Sequence, residues 1–398
     1  MDNRLYWIWL QSIFAPGSLK PDCLLREYGS AKEIYHAPAG GMERFGLSKT
    51  ELDRLSDKSL AVSRGILNRA LENGGWLLTP DDALYPSLLR AIPGIPLALY
   101  GYGELPELDV NPAVAVVGTR AATRFGRQAT ALVAGGLALG GAVVVSGGAY
   151  GVDTAAHEAA LAVGGRTIVV QGCGLDIPYP ANNAALRRKA ALSGAVISEF
   201  PPGAPALRHH FPVRNRIISG LSLGVCVTEA PAKSGALITA WHAFEQGRDV
   251  FAVAGDMITG RSAGTDQLIK RGAKLVTSAA EILEEYLPRF GDILDLKAAE
   301  SARSHPQLKR YILSGEEQEK PKTGETAKTP AKFAECPDYV SDGSRRLFSF
   351  LDGTPKTMDE LTALSGLATA KILTSLTELE LAGCVRRAPG QTYARMPI

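Results

Sequence analysis

Four times between Val114 and Gly235 an unbroken apolar run gives way to a short cluster of Gly, Ser, Thr and charged residues. The four are VAVVGTR (114–120), VVVSGGAYGVD (143–153), TIVVQGCGLD (167–176) and GVCVTEAPAKSG (224–235). Continuous Val/Ile runs mark strands buried on both faces, as in parallel sheets, and ligands gather at the C-terminal ends of such strands. Helical patterns separate the runs from 112 to about 287, and this alternation predicts βαβ units. The expected fold is α/β: an extended Rossmann-like, doubly wound, mainly parallel sheet. Residues 76–110, rich in Pro and turns, read as its lead-in and edge strand, so this domain spans 76–290.

The flanks follow other patterns. Residues 1–75 hold short helical periods separated by Gly and Pro, the longest over 48–74 and opened by a Ser48/Glu51 capping box. They predict a compact helical domain. Residues 291–341 turn polar and irregular, and SGEEQEKPKTGETAKTPAK in particular reads as a flexible linker. Residues 342–398 show helical patterns at 344–351, 358–365 and 368–381, then a basic hairpin-like end over Cys384–Arg395, the plan of a winged helix.

Composition narrows the function classes. Ala129–Ala149 has no charge over 21 residues but contains six glycines. Gly140-Gly141 would break a spanning helix, so a helix at 124–139, a turn and a strand at 142–146 are expected instead. No membrane partner is implied, the N-terminus lacks a signal-peptide pattern, and a cytoplasmic protein is expected. The five cysteines show no CxxC or His-linked spacing, so neither zinc nor disulfides are indicated and no cofactor is expected. Net charge is only +2, yet residues 110–287 carry 16 Lys/Arg against 12 Asp/Glu. The positive excess lies where the strand-end clusters lie.

Those clusters carry the candidate chemistry. Gly118, Thr119 and Arg120 follow the first strand; Arg120 offers a bidentate fork to a phosphate. Ser146, Gly147, Gly148, Ala149 and Gly151 precede the helix DTAAHEAALA, and bare N–H groups there would face a phosphate near a positive helix end. Asp153 is placed to cap that helix, and His157, one turn on, reads as a packing residue. In HHFPVRNRIISG (209–220), Phe211 can stack on a base while Arg214, Asn215 and Arg216 can reach successive phosphates. Lys233 and Ser234 add a cationic turn. Glu199 and Glu229 end strands and can pair with the arginines. There is no GxGxxG fingerprint, no GxxxxGK[ST] loop and no HExxH, and no Ser/His/Asp set stands in the nucleophile-elbow context of GxSxG.

Taken together, VAVVGTR, VSGGAYGVDTAAHEAAL, ISEFPPG, FPVRNRIISGLS, VTEAPAKSGALITAWHAFEQGRDVFAVAG and LIKRGAKLV resemble the DNA-processing protein A (DprA, or Smf) family, in that family's order. The likeness runs from about Tyr85 to about Val276. It implies a Rossmann-like domain that binds single-stranded DNA, flanked by a helical domain of the sterile-alpha-motif or helix-hairpin-helix kind and by a winged helix. It further implies protection of incoming strands, loading of the recombinase RecA onto them during natural transformation, and a homodimer. A non-enzymatic recombination mediator is therefore the expected function. The alternative is a nucleotide-handling enzyme on a Rossmann-like nucleotide monophosphate site, whose PGGxGTxxE motif is absent here. A regulator acting through the winged helix alone is a third possibility.

Overall fold

Each of the expected parallel strands is present in the computed structural model, which describes residues 2–255, 258–317, 340–352, 356–382, 384–388 and 392–396. The chain divides into two units, Met1–Glu319 and Lys320–Ile398.

Among the described residues the first unit is built on a nine-stranded sheet. Its strands are β1 (Trp76–Leu78), β2 (Leu99–Gly103), β3 (Ala113–Val117), β4 (Val143–Ser146), β5 (Thr167–Gln171), β6 (Gly194–Ser198), β7 (Gly224–Val227), β8 (Asp249–Ala252) and β9 (Lys274–Leu275). They lie in the order β1-β2-β6-β5-β4-β3-β7-β8-β9. β1 and β2 are antiparallel additions at one edge, and all strands from β6 to β9 run parallel. The apolar runs are continuous because both faces are covered. Ala115 and Val117 enter one core with Val145, Val170 and Ile217, whereas Val114 and Val116 enter the other with Ala131, Leu137 and Phe251. After β3 the chain moves outward through β4, β5 and β6, then returns to place β7 on the other side of β3. This reversal is the switch point at which doubly wound sheets open a crevice.

Arg124–Leu139 forms one helix and β4 follows it, as the uncharged stretch predicts. Thr123 caps it, its hydroxyl accepting from Gly126 N at 3.0 Å. No helix among the described residues is long and apolar enough to cross a membrane. The N-terminal residues are helical as expected, and the Ser48/Glu51 capping box is formed. The 48–74 pattern, however, splits into helices Lys49–Ser56 and Ala61–Leu71. Trp9 Nε1 donates to the Asp57 carbonyl between them at 2.9 Å, holding the chain in a bend. The core of this helical part also takes in Leu77, Leu97 and Tyr100 from the sheet edge.

Residues 291–317 depart from the expected linker. They form helices Leu296–Glu300 and Pro306–Glu317, laid on the helix 124–139. Leu308 is fully buried, in space that a side chain at Gly135 would fill: a Cβ there would lie 2.6 Å from Leu308 Cδ1. A few apolar residues at helical spacing outweigh a polar composition once a partner surface exists. The remainder of the linker, 318–339, lies outside the described residues.

The second unit has helices Asp342–Ser349, Met358–Ser365 and Thr369–Leu381. Strands β10 (Lys356–Thr357), β11 (Val385–Ala388) and β12 (Thr392–Arg395) make an antiparallel sheet in the order β10-β12-β11. A Thr357/Glu360 capping box starts the middle helix, and Gly366, at φ 65°, ends it. Leu347, Leu361, Ile372, Leu376 and Tyr393 form its core. This is the winged-helix arrangement.

Candidate nucleic-acid interface

The loops after β3, β4 and β7 are stitched to one another by backbone hydrogen bonds. Thr119 N donates to the Glu229 carbonyl at 2.8 Å, and Val152 N donates to the Thr119 carbonyl at 3.1 Å. The close approach requires glycine. A Cβ at Gly118 would lie 2.7 Å from the Glu229 carbonyl oxygen, and one at Gly151, which has φ +76°, would lie 2.4 Å from that of Thr119. The N–H groups of Thr119 and Val152 are thus spent on the scaffold, and Ala149 N donates to Asp153 Oδ2 at 3.2 Å. The bare-amide cradle expected from the glycines is used, at these positions, to hold the loops together.

Beside them opens a groove of about 830 Å³. Its walls bring together Gly118, Thr119, Arg120, Ala149, Phe211, Arg214, Asn215, Lys233 and Ser234 of the sequence-derived set. Arg120 and Lys233 are exposed. The Arg120 guanidinium stands 5.2 Å from the centre of the Phe211 ring, and Tyr179 flanks the same ring at 5.2 Å. Asn215 Nδ2 donates to the Gly235 carbonyl at 3.3 Å, and Ser234 Oγ accepts from Ala236 N at 3.3 Å. Both therefore shape the groove wall.

Five expected contacts lie outside the groove lining, among them Gly151, which is used for the close approach to the Thr119 carbonyl. Ser146 is fully buried, its hydroxyl donating to the Val116 carbonyl at 2.7 Å, so it ties β4 to β3. Gly147 and Gly148 are buried as well. Arg216 is buried in an ion pair with Glu199, Nη2 to Oε1 at 2.7 Å, and does not line the groove. The expected Glu–Arg pairing is real here, and it occupies the arginine intended for a phosphate. Arg214 reaches the groove only from beneath. It is 3% exposed, and its Nη1 donates to the carbonyls of Gly147 (2.6 Å) and Val170. Burial lowers its pKa to about 10, against the pull of nearby Asp153.

The carboxylates are similarly committed. Glu229 Oε2 accepts from Thr123 N at 2.8 Å, at the start of the helix 124–139. Asp153 turns back to Ala149 N rather than capping its own helix; burial raises its pKa, with Arg214 opposing. His157 is a core residue, as expected. It is fully buried, Nδ1 lies 2.7 Å from Thr167 Oγ1, and desolvation lowers its pKa to about 3.

Sequence reasoning passed over Arg208 and Tyr179, both of which line the groove. Arg208 directly precedes the HHFPVRNR segment, so its signal lay one residue outside the quoted motif. Counted over the lining residues, four cations (Arg120, Arg208, Arg214 and Lys233) face the single carboxylate of Asp153. The groove is therefore a cationic channel with an aromatic ring on its wall. No group of three or more His, Cys, Asp or Glu that could hold a metal occurs among the described residues.

Known proteins share much of this sequence and fold. Residues 76–287 match the family model of DNA recombination-mediator protein A, and residues 328–391 match that of the DprA winged helix domain. The putatively named DNA processing protein DprA of Mycobacterium tuberculosis is 34% identical over 97% of this chain and 92% of its own length. Protein Smf of Escherichia coli is 35% identical over 98% and 95%. The X-ray structure of DNA processing protein A from Streptococcus pneumoniae superposes with a TM-score of 0.61 at 36% identity, covering 72% of this chain and 98% of that one. With one family model spanning more than half its length and relatives of this identity matched nearly end to end, the chain belongs to the DprA/Smf family of DNA-processing proteins.

Proposed function

We propose that this protein is a non-enzymatic, single-stranded DNA-binding recombination mediator whose central groove holds the strand. One observation carries the reading: four cations, Arg214 from beneath, against one buried carboxylate, with the Phe211 ring 5.2 Å from the Arg120 guanidinium and 5.2 Å from the Tyr179 ring. Cations follow a phosphate backbone, and an aromatic ring stacks only on a base that is not already paired and stacked in a duplex. The commitment of Glu199, Glu229 and Asp153 to internal partners supports binding over catalysis, because none is left as an exposed general base. The family resemblance extends the proposal. The bound strand is protected and handed to RecA during natural transformation, in the cytoplasm, by a homodimer.

Electrophoretic mobility shifts with single- and double-stranded oligonucleotides of one sequence, at two salt concentrations, test the groove. Tighter binding of the single strand, weakening steeply with salt, is expected. Equal affinity for both forms would refute single-strand selectivity. Turnover of ATP, nucleotide monophosphates or DNA by pure protein would refute the non-enzymatic reading.

A further inference from the structure

In the wall of the groove the Phe211 ring is closed in on several sides. The Arg120 guanidinium stands over it, the Tyr179 ring touches it at a tilt of 39°, and a Cβ on Gly172 would lie 3.0 Å from its Cδ1. The centres of the Phe211 and Tyr179 rings are 5.2 Å apart, whereas a base held between them needs roughly 7 Å, two van der Waals contacts. The rings therefore cannot sandwich a base. They form one continuous aromatic surface, half-buried and open to the groove. We propose that Tyr179 is a second base-stacking residue beside Phe211, and that Arg187, outside the groove lining, is the positioning residue that holds Tyr179 there. The proposal rests on the groove reading above and adds to it the residues that carry the base.

Three side chains from different elements fix the backbone around Tyr179. Arg187, on the helix Ala184–Leu192, donates from Nη1 to the carbonyls of both Tyr179 (3.0 Å) and Pro180 (2.9 Å). Gln171, 3% exposed at the end of β5, donates from Nε2 to the same Tyr179 carbonyl at 3.1 Å. Asn183, buried in the turn that follows, donates from Nδ2 to the Gly148 carbonyl at 3.0 Å and so ties the segment to the loop after β4. A strand-end loop ordinarily runs loose over the surface. This one is held from several directions, and the ring it presents lines the groove beside Phe211. A stacking ring fixed before the strand arrives lowers the ordering cost of binding. Arg187 gives its Nη1 to backbone rather than to the groove, so its part in binding runs through Tyr179.

The full-length chain is tested by fluorescence anisotropy with an oligothymidylate longer than the roughly 4–16 nucleotides that a single-strand groove spans, and with an abasic strand of the same length. The abasic strand keeps the phosphates and lacks the bases. Tyr179→Ala should weaken the oligothymidylate about tenfold, with the abasic strand and the salt slope unchanged. Arg187→Ala should show the same pattern at about threefold, since it frees the ring without removing it. Added to Tyr179→Ala it should cost nothing more, because it acts through that ring. Thermal melting checks that each variant is folded; if Arg187→Ala is not, Arg187→Gln, which keeps a donor but loses the double grip, replaces it. Full oligothymidylate affinity in Tyr179→Ala, or an equal loss on the abasic strand, overturns the stacking role. Full affinity in the Arg187 variant, a flatter salt slope, or a loss that adds to that of Tyr179→Ala overturns the positioning role. Other groove variants separate the two readings. If Phe211→Ala loses the oligothymidylate selectively while Tyr179→Ala does not, only the addition fails; if Phe211→Ala, Arg120→Ala and Lys233→Ala all bind like wild type, the groove itself is wrong.

Discussion

The Arg214 guanidinium fills the space that a side chain at Gly147 would need: its Nη1 donates to the Gly147 carbonyl at 2.6 Å, and a Cβ on Gly147 would lie 2.5 Å from that nitrogen. The loop after β4 therefore has its shape because a buried arginine supports it from below. Gly147→Ala should destabilise the first unit by about 1–3 kcal/mol through overpacking. Arg214→Met should cost about 1–3 kcal/mol for each carbonyl left without its donor. Urea unfolding measures both. If Arg214→Met is as stable as wild type and loses only DNA affinity, Arg214 is a phosphate contact after all.

Exposed cations should behave differently. Arg120→Ala and Lys233→Ala leave the fold intact, weaken binding on all sequences alike, and each flatten the slope of log affinity against log salt by about one. Arg208→Ala should act in the same way, since Arg208 shares the groove wall. Phe211→Ala removes a ring rather than a charge. It should cost roughly 1–3 kcal/mol of binding with the salt slope unchanged. Salt titrations that give Phe211→Ala a flatter slope and Arg120→Ala none would reverse these roles.

Arg216 and Glu199 are a stability pair. Both side chains are almost wholly buried, so removing one leaves the other's charge uncompensated. Glu199→Ala should destabilise by about 3–5 kcal/mol. The salt dependence of DNA binding by the folded fraction should not change. A flatter salt slope in Arg216→Ala would return Arg216 to the interface.

Reading Arg214 and Arg216 as successive phosphate contacts has a simple source. Along the chain they are two residues apart and look like consecutive contacts. On the helix His210–Gly220 an offset of two turns the side chains by about 200°, so they cannot face one ligand together. One points under the β4 loop and the other toward Glu199. The strands were legible because burial on both faces leaves an uninterrupted apolar run, which only tertiary structure of one kind can use. Thr119 and Ser146 were legible as strand-end polar residues but not in role, since hydrogen bonds to Glu229 and Val116 join segments far apart in sequence. The helices within 291–317 were hidden because Leu308 has meaning only opposite Gly135.

His157 makes stability depend on pH. Its folded-state pKa is lowered to about 3 by burial, from an ordinary 6.5, so the folded state holds the ring neutral. As pH falls below 6.5 the unfolded chain takes up a proton that the folded one refuses. The contribution is complete above about pH 6.5 and is lost progressively toward pH 3, at up to about 1.4 kcal/mol per pH unit. Denaturant unfolding between pH 7 and pH 5 should show this loss, and His157→Gln should reduce it. An unchanged pH slope in the variant would place the proton uptake elsewhere.

The winged helix should contribute little intrinsic grip. The helix in the recognition position of the winged-helix plan, Thr369–Leu381, carries Lys371 as its sole cation beside Glu378 and Glu380. Glu378 is turned to structural use, accepting from Ser341 N at 2.8 Å and from Ser341 Oγ at 2.6 Å. Arg395 donates to the Phe348 carbonyl at 3.0 Å and lies over that ring, and Lys356 pairs with Asp352 at 2.7 Å. Residues 342–398 hold seven Lys/Arg against six Asp/Glu, and several of those cations are thus engaged within the unit. Arg386 and Arg387, in the wing, are the clustered basic pair near an expected groove contact; their backbone lies in β11, while their side chains lie outside the described residues. Such a unit is suited to an auxiliary role, acting through raised local concentration once the central groove has captured DNA, or to docking a partner. A chain ending at Glu319 should keep single-strand affinity within about threefold of the full chain, because the lost module adds only a weak tethered contact. If the truncated protein stays folded, by circular dichroism, yet loses most of its single-strand binding, the winged helix is the primary site and the order of the two units is the reverse.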